Sequence, residues 1–264
     1  MCRPPANVSI RFYAELNDHL TAHQQYRTLE KPLLMPTNAK DVIESFGVPH
    51  TEVDLILVNG ASAGFDQLVS AGDRVAVYPV FESLDITPEV RIRPEPLRET
   101  RFVLDIHLGR LAAYLRMLGF DTWYQSCASD RRLAGISAAE HRILLTRDRG
   151  LLKRSMVTHG YWVRNTESRR QVPEILARFD LYGAIRPFSR CMACNALLQE
   201  AVKDDVRNLV PQRAAKLHNE FRRCPNCGRV FWQGSHYRRM QSWIRDLTPG
   251  LRNLPPLTSN AGIC

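Results

Sequence analysis

Two cysteine pairs limit what the last third of this chain can become. Cys191 and Cys194 form one C-x2-C, Cys224 and Cys227 form another, and 29 residues separate them. Four thiolates presented on two knuckles match the tetrahedral preference of Zn2+. Two thioredoxin-type dithiols are the competing reading, but two pairs inside one short module favour a single metal. With all four positions filled by Cys, none stays open to a substrate, so this zinc is expected to be structural. The remaining cysteines, Cys2, Cys127 and Cys264, are isolated, and "MCRPPANVSIRFYAEL" lacks the apolar core of a secretory signal. A disulfide framework is therefore not expected. The ribbon is assigned to residues 186–245. The tail 246–264, rich in Pro, Gly and polar residues, is expected to be disordered.

The 264 residues allow further domains in front of it. Residues 1–88 read as a small α+β domain: a strand at 8–14, a helix at 38–47, a strand at 54–60 ending in an Asn-Gly turn, and a strand at 72–81. The helix has Asn38 as cap, Val42, Ile43 and Phe46 as its apolar face and Gly47 as its stop. Residues 89–98, charged and carrying Pro94 and Pro96, read as an extended linker. Across 99–185 the pattern alternates. Strands are expected at 101–106, 121–125, 142–146 and 161–165, and helices at 107–120, 129–141, 150–160 and 169–181. Leu108, Leu111, Leu115 and Leu118 recur at helical spacing. Such alternation builds a parallel α/β sheet.

Charge divides the chain. Residues 1–90 hold 6 Lys+Arg against 12 Asp+Glu, a net −6; the remainder holds 30 against 15, a net +15. A basic unit behind an acidic one points to a polyanion such as nucleic acid. Within 186–245, 12 Lys+Arg face 4 Asp+Glu, interleaved with Phe231, Trp232, His236, Tyr237 and Trp243. That mixture suits single-stranded bases, although in so small a module Phe231 and Trp232 are expected first of all to pack the core. Arg222, Arg238 and Arg239 are the better candidates for phosphate contact. No run of 18 apolar residues occurs, so no membrane span is expected and the chain reads as cytoplasmic.

Function in open parallel sheets collects at the carboxyl ends of the strands. Asp105 follows "RFVL", Asp148 follows "ILLTR", and Asp130 opens the helix after the second strand. Acids gathered at one edge repel unless a cation lies between them, and hard oxygen ligands select Mg2+ or Mn2+. Each acid also has a simpler role: Asp130 as a helix cap, Asp148 as a turn residue paired with Arg147 or Arg149, Asp105 as a buried carboxylate needing a partner. If such a site acts on a phosphodiester, Arg147, Arg110 or Lys153 is expected to neutralise the phosphates. His107 is expected to cap or pack rather than to act.

The blocks "FVLDIHLGRLAAYLRMLGFDT", "RILLTRDRGLL", "RCMACNALL" and "CPNCGRVFWQGSHYRRM", in this order, resemble the Mut-seven C-terminal (Mut7-C) ribonuclease family, a PIN-like nuclease domain carrying a zinc ribbon. "RFYAEL", "LILVNG" and "AGDRVAVYPVFESLDI" resemble the ubiquitin-like β-grasp domain that precedes it in some members. The resemblance implies an α+β and α/β multidomain chain: β-grasp domain, PIN-like parallel sheet, C-terminal zinc ribbon. It implies a divalent-metal-dependent ribonuclease acting on single-stranded RNA, tRNA or ribosomal RNA. Asp105, Asp130 and Asp148 match its acids, and Asn165 or Glu167 occupies the place of a fourth. The alternative is a non-catalytic RNA- or ribosome-binding factor with a degenerate site. The β-grasp segment lacks the Gly-Gly tail of sulfur carriers. Docking a protein, or covering the basic face in cis, is what its resemblance leaves.

Overall fold

The computed structural model describes residues 7–79 and 100–247. The expected linker at 89–98, the strand residues 80–81 and the tail from 248 onward lie outside the described residues.

The N-terminal domain is built by alternation. Strand β1 (Asn7–Phe12) turns Val8, Ile10 and Phe12 inward, and β7 (Arg74–Pro79) does the same with Val75 and Val77. These two strands pair in parallel at the centre of a five-stranded sheet ordered β2-β1-β7-β4-β5. The outer members are β2 (Thr28–Pro32), β4 (Val53–Val58) and β5 (Ala61–Ala63), all antiparallel to their neighbours. Helix α1 (Ala39–Ser45) lays Ala39, Val42 and Ile43 onto the inward face. The expected Asn-Gly turn joins β4 to β5, with φ of 52° at Asn59 and 85° at Gly60, the left-handed pair a two-residue hairpin requires. A two-stranded pair, β3 (Thr37–Asn38) and β6 (Leu68–Val69), closes one end. This is a ubiquitin-like grasp of a sheet around one helix.

The second sheet is parallel throughout. Strands β8 (Arg101–Leu104), β9 (Asp121–Tyr124), β10 (Ile143–Thr146) and β11 (Gly160–Trp162) lie in the order β11-β10-β8-β9. Helices α2 (Gly109–Met117), α3 (Asp130–Glu140), α4 (Arg149–Leu152) and α5 (Ser168–Arg178) alternate with them. The four leucines at helical spacing, Leu108 to Leu118, are all buried. Leu108 itself belongs to a single 3-10 turn (Ile106–Leu108) that precedes α2.

The helix expected over 150–160 stops after one turn, at Leu152. Tertiary contacts overrule local propensity here. Val157 is fully buried in the cluster of Val103, Leu133, Leu144, Leu151 and Leu152. Its carbonyl accepts a hydrogen bond from His50 Nε2 of the N-terminal domain at 2.9 Å, so it is not left for a helical partner.

The cysteine module contains a three-stranded antiparallel sheet of β12 (Gln199–Ala201), β13 (Phe221–Arg223) and β14 (Val230–Trp232). Short helices α6 (Lys203–Val206) and α7 (Gln212–Leu217) fill the long connection before β13. Their Val206 and Ala214, with Val210 and Phe221, form its small core. Helix α8 (Ser235–Leu247) follows, two residues longer than the assigned end of the module. By compactness, the described residues up to Ala112 together with Asp121–Gln171 form one unit. Ala113–Phe120 with the described residues from Val172 onward form a second.

Candidate active site and cysteine cluster

In the parallel sheet the chain runs from β8 to one neighbour, β9, then crosses back to β10 on the other side. The switch point therefore lies between β8 and β10, where open α/β sheets place their ligands. Register puts Leu145 opposite Leu104, and the Asp105 N–H donates to the Leu145 carbonyl at 3.0 Å. One residue further, Thr146 Oγ1 donates to Asp105 Oδ2 at 2.7 Å and accepts from the Asp148 N–H at 2.9 Å. Thr146 is fully buried. This hydroxyl, not singled out as a site residue from the sequence, joins the two strand-end acids. The T-x-D spacing was its only signal.

Asp105 is 5% exposed. Its Oδ1 accepts from the Ile106 N–H at 2.6 Å. Both recorded partners are neutral, and no ion pair to Asp105 exists among the described residues. Asp148 caps α4, with Oδ1 accepting from the Gly150 N–H at 2.7 Å. Close packing shapes the rim beside Asp105. Gly109 opens α2 against Tyr124, whose hydroxyl would lie 2.6 Å from any Cβ added there and instead donates to the Ile106 carbonyl.

The other acids stand apart. Asp130 is exposed and faces Arg154 at 3.6 Å; its helix is capped by Ser129. Glu167 is exposed and paired with Arg170 at 3.2 Å. The Asn165 carbonyl accepts from Gln171 at 2.8 Å and from Arg147. Among the described residues no three carboxylates bring ligand atoms into mutual reach. Asp105 and Asp148 are brought to one edge; neither Asp130 nor Glu167 completes a group of three carboxylates with them.

The basic residues around Asp148 divide by partner. Arg110 is exposed at the start of α2, as is His107 in the turn before it. Arg147 folds back onto the Arg164 and Asn165 carbonyls. Lys153 donates to the Glu44 carbonyl at 2.7 Å, and Arg149 to the His19 carbonyl at 2.9 Å. Both are thus held by the N-terminal domain. The same junction holds a buried charge centre that the sequence did not mark. Glu52 is 1% exposed and accepts from the Trp162 N–H at 2.7 Å. It also meets His19 Nε2 at 3.0 Å and Arg164 at 3.2 Å. Arg164 reaches Asp18 as well, at 2.7 Å. Burial raises the Glu52 pKa, but the His19 hydrogen bond, the charges of His19 and Arg164 and the Trp162 N–H outweigh it and bring it below its ordinary 4.5.

The four cysteines do converge, with all Sγ atoms within 4.8 Å of one another. Cys191 and Cys227 lie 3.6 Å apart, Cys194 and Cys224 3.3 Å. Sulfurs about 2.3 Å from a tetrahedral zinc stand roughly 3.8 Å apart, so the cluster is near the size a metal requires. The two knuckles have one geometry. In each, the residue four after the first Cys returns its N–H to that Cys carbonyl at 2.8–3.0 Å, with φ of 73° at Asn195 and 72° at Gly228. Burial pushes the Cys191 thiol up to about 12. At Cys194 the Ala196 N–H and the Cys224 and Asn226 hydrogen bonds outweigh burial and bring it down to about 6. A metal-free cluster therefore keeps protons that a bound cation displaces.

Of the module's aromatics, Trp232 packs against its core as expected. Phe231 instead lines a pocket with Phe188, Trp232 and Tyr237. Arg222 donates to the Phe188 carbonyl at 3.1 Å, whereas Arg238 and Arg239 stand exposed on α8.

A parallel sheet with acids at its switch point, joined to a ubiquitin-like domain and followed by four converging cysteines, defines a mixed α+β protein of nuclease type. The Mut7-C RNAse domain model matches residues 100–244, and the Mut7-C ubiquitin model matches residues 5–85. The chain belongs to the Mut7-C RNAse domain family. No curated protein and no solved structure matches it.

Proposed function

We propose that the protein is a divalent-metal-dependent ribonuclease whose cysteine ribbon binds one structural Zn2+ and helps to hold RNA. The observation that carries this reading is the pairing of Asp105 and Asp148 through Thr146 at the switch point, in a chain of an RNAse family. The donor set fits a hard cation: Asp105 is buried with neutral partners only, and each carboxylate keeps lone pairs free. When bound, Mg2+ or Mn2+ supplies Lewis acidity toward the phosphodiester and activates water. The chain's own contribution is placement. Thr146 fixes the Asp105 carboxylate and the Asp148 backbone together. Arg110, exposed in the first turn of α2, is our candidate for meeting a phosphate, and Asp130 joins only by leaving Arg154. RNA is the substrate class this family implies, and a cytoplasmic setting is our reading.

The second reading, an RNA- or ribosome-binding factor that does not cut, is favoured by a specific observation. Asp130 and Glu167 are paired with arginines, and Lys153 and Arg149 are engaged by the N-terminal domain. Labelled single-stranded RNA and tRNA, incubated with Mn2+ or EDTA and with wild type, Asp105→Asn or Asp148→Asn, separate the two. EDTA-sensitive cutting lost in both variants is the expected result. Salt-dependent binding with no cutting by the wild type selects the binding factor.

A further inference from the structure

The ribbon unit contains a pocket of about 340 Å3, at the small end of the range for ligand sites. Its walls are unusual for a module with so little core. Phe188 and Tyr237 lie with ring centroids 4.4 Å apart, tilted by 37°, and Phe231, Trp232 and Met240 continue the lining. Only Trp232 among these belongs to the core packed by Val206, Val210, Ala214 and Phe221. The others are half-exposed, so folding of the module does not require them to gather there.

Phe188 is held with φ of 57°, a left-handed conformation that a bulky side chain rarely adopts. Its surroundings impose it: its N–H bonds the Met117 carbonyl at 2.8 Å, and its own carbonyl is fixed by Arg222. Strained backbone of this kind persists where the structure over-determines it, and it collects at binding sites. Polar side chains complete the wall, among them Glu220, which accepts from Gln233 at 2.9 Å.

We infer that this pocket receives an unpaired nucleobase of RNA, stacked on the aromatic wall, while arginines around it hold the flanking phosphates. Charge decides for RNA over an apolar peptide: 12 Lys+Arg against 4 Asp+Glu lie within 186–245. Arg190 and Arg222 are in the lining but donate to the Gly119, Asn195 and Phe188 carbonyls, so the phosphate contacts fall to Arg238 and Arg239, exposed directly after Tyr237. Aromatic faces with adjacent guanidinium groups are how single strands are held with little sequence preference. Glu220 and Gln233 are placed to read the base's polar edge. The inference rests on the RNA-binding reading above and locates its base contact.

The test is anisotropy of a labelled single-stranded RNA with the full chain in EDTA-free buffer lacking Mg2+ and Mn2+, so that the cysteine metal is kept. Phe231→Ala and Tyr237→Ala should each weaken binding about tenfold while leaving the slope of affinity against salt unchanged. Arg238→Ala with Arg239→Ala should reduce that slope by about 1.4. Crosslinks from 4-thiouridine RNA should map to Phe231, Trp232 or Tyr237. Zinc content equal to wild type certifies that each variant is folded. Wild-type affinity in both aromatic variants, with the arginine effect intact, overturns the pocket and leaves RNA binding standing. Wild type that binds no RNA overturns both.

Discussion

In the candidate active site Thr146 is the side chain that joins the two strand-end acids. Removing its hydroxyl as Thr146→Val leaves the Asp105 carboxylate and the Asp148 N–H each short of a partner. Such a loss costs about 1–3 kcal/mol, to be read by urea denaturation, and cleavage should fall with it. Thr146→Ser should restore both. Glu52 gives a prediction in pH. Its folded pKa lies below its ordinary 4.5. It therefore contributes stability that is present above about pH 4.5 and is lost as pH falls through the lower folded value. Thermal melts of wild type should lose more on acidification across that window than those of Glu52→Gln. Asp105 and Asp148 were legible in the sequence because each follows a short apolar strand. Glu52 and Arg164 were not: 112 residues separate them, and nothing local distinguishes a buried ion pair from a solvated charge.

Among the elements, the parallel sheet and the Asn-Gly hairpin were legible because periodicity and turn chemistry agreed with the tertiary environment. The helix expected after Asp148 failed because His50 and the core around Val157 draw that segment away. Helices α6 and α7 fill a connection whose pattern offered little. The cysteine knuckles carry their own prediction. Purified protein should contain one Zn2+, released stoichiometrically by a strong chelator, and Cys224→Ser should abolish its retention. Titrating metal into the stripped protein in weak buffer should acidify the solution, because Cys191 keeps its proton until a cation displaces it. Near-ultraviolet circular dichroism should report loss of the Trp232 environment on chelation, since that ring packs on the module's core.

For the molecule as a whole, the charge asymmetry visible in the sequence has a concrete counterpart. Asp18 and Glu52 of the acidic N-terminal domain meet Arg164, and backbone carbonyls of that domain occupy Arg149 and Lys153. The sequence suggested that this domain could cover basic groups in cis but offered no way to say which. If those two cations are withheld from RNA, neutralising them changes little. Arg149→Gln with Lys153→Gln should shift RNA affinity less than twofold, whereas Arg110→Gln should weaken it and lower the salt slope by about one. Filter binding across a salt series measures both.

The junction has one more effect. Strand β11 is the outermost of the parallel sheet, and the turn His50–Glu52 runs along it, with Glu52 taking the Trp162 N–H. An uncovered sheet edge is a template on which another chain can pair. The ubiquitin-like domain is therefore expected to shield this edge from self-association, and a fragment starting at the linker should show a larger sedimentation coefficient than a monomer. The shortest version of this chain to test for cleavage therefore begins at its first strand, not at its second sheet.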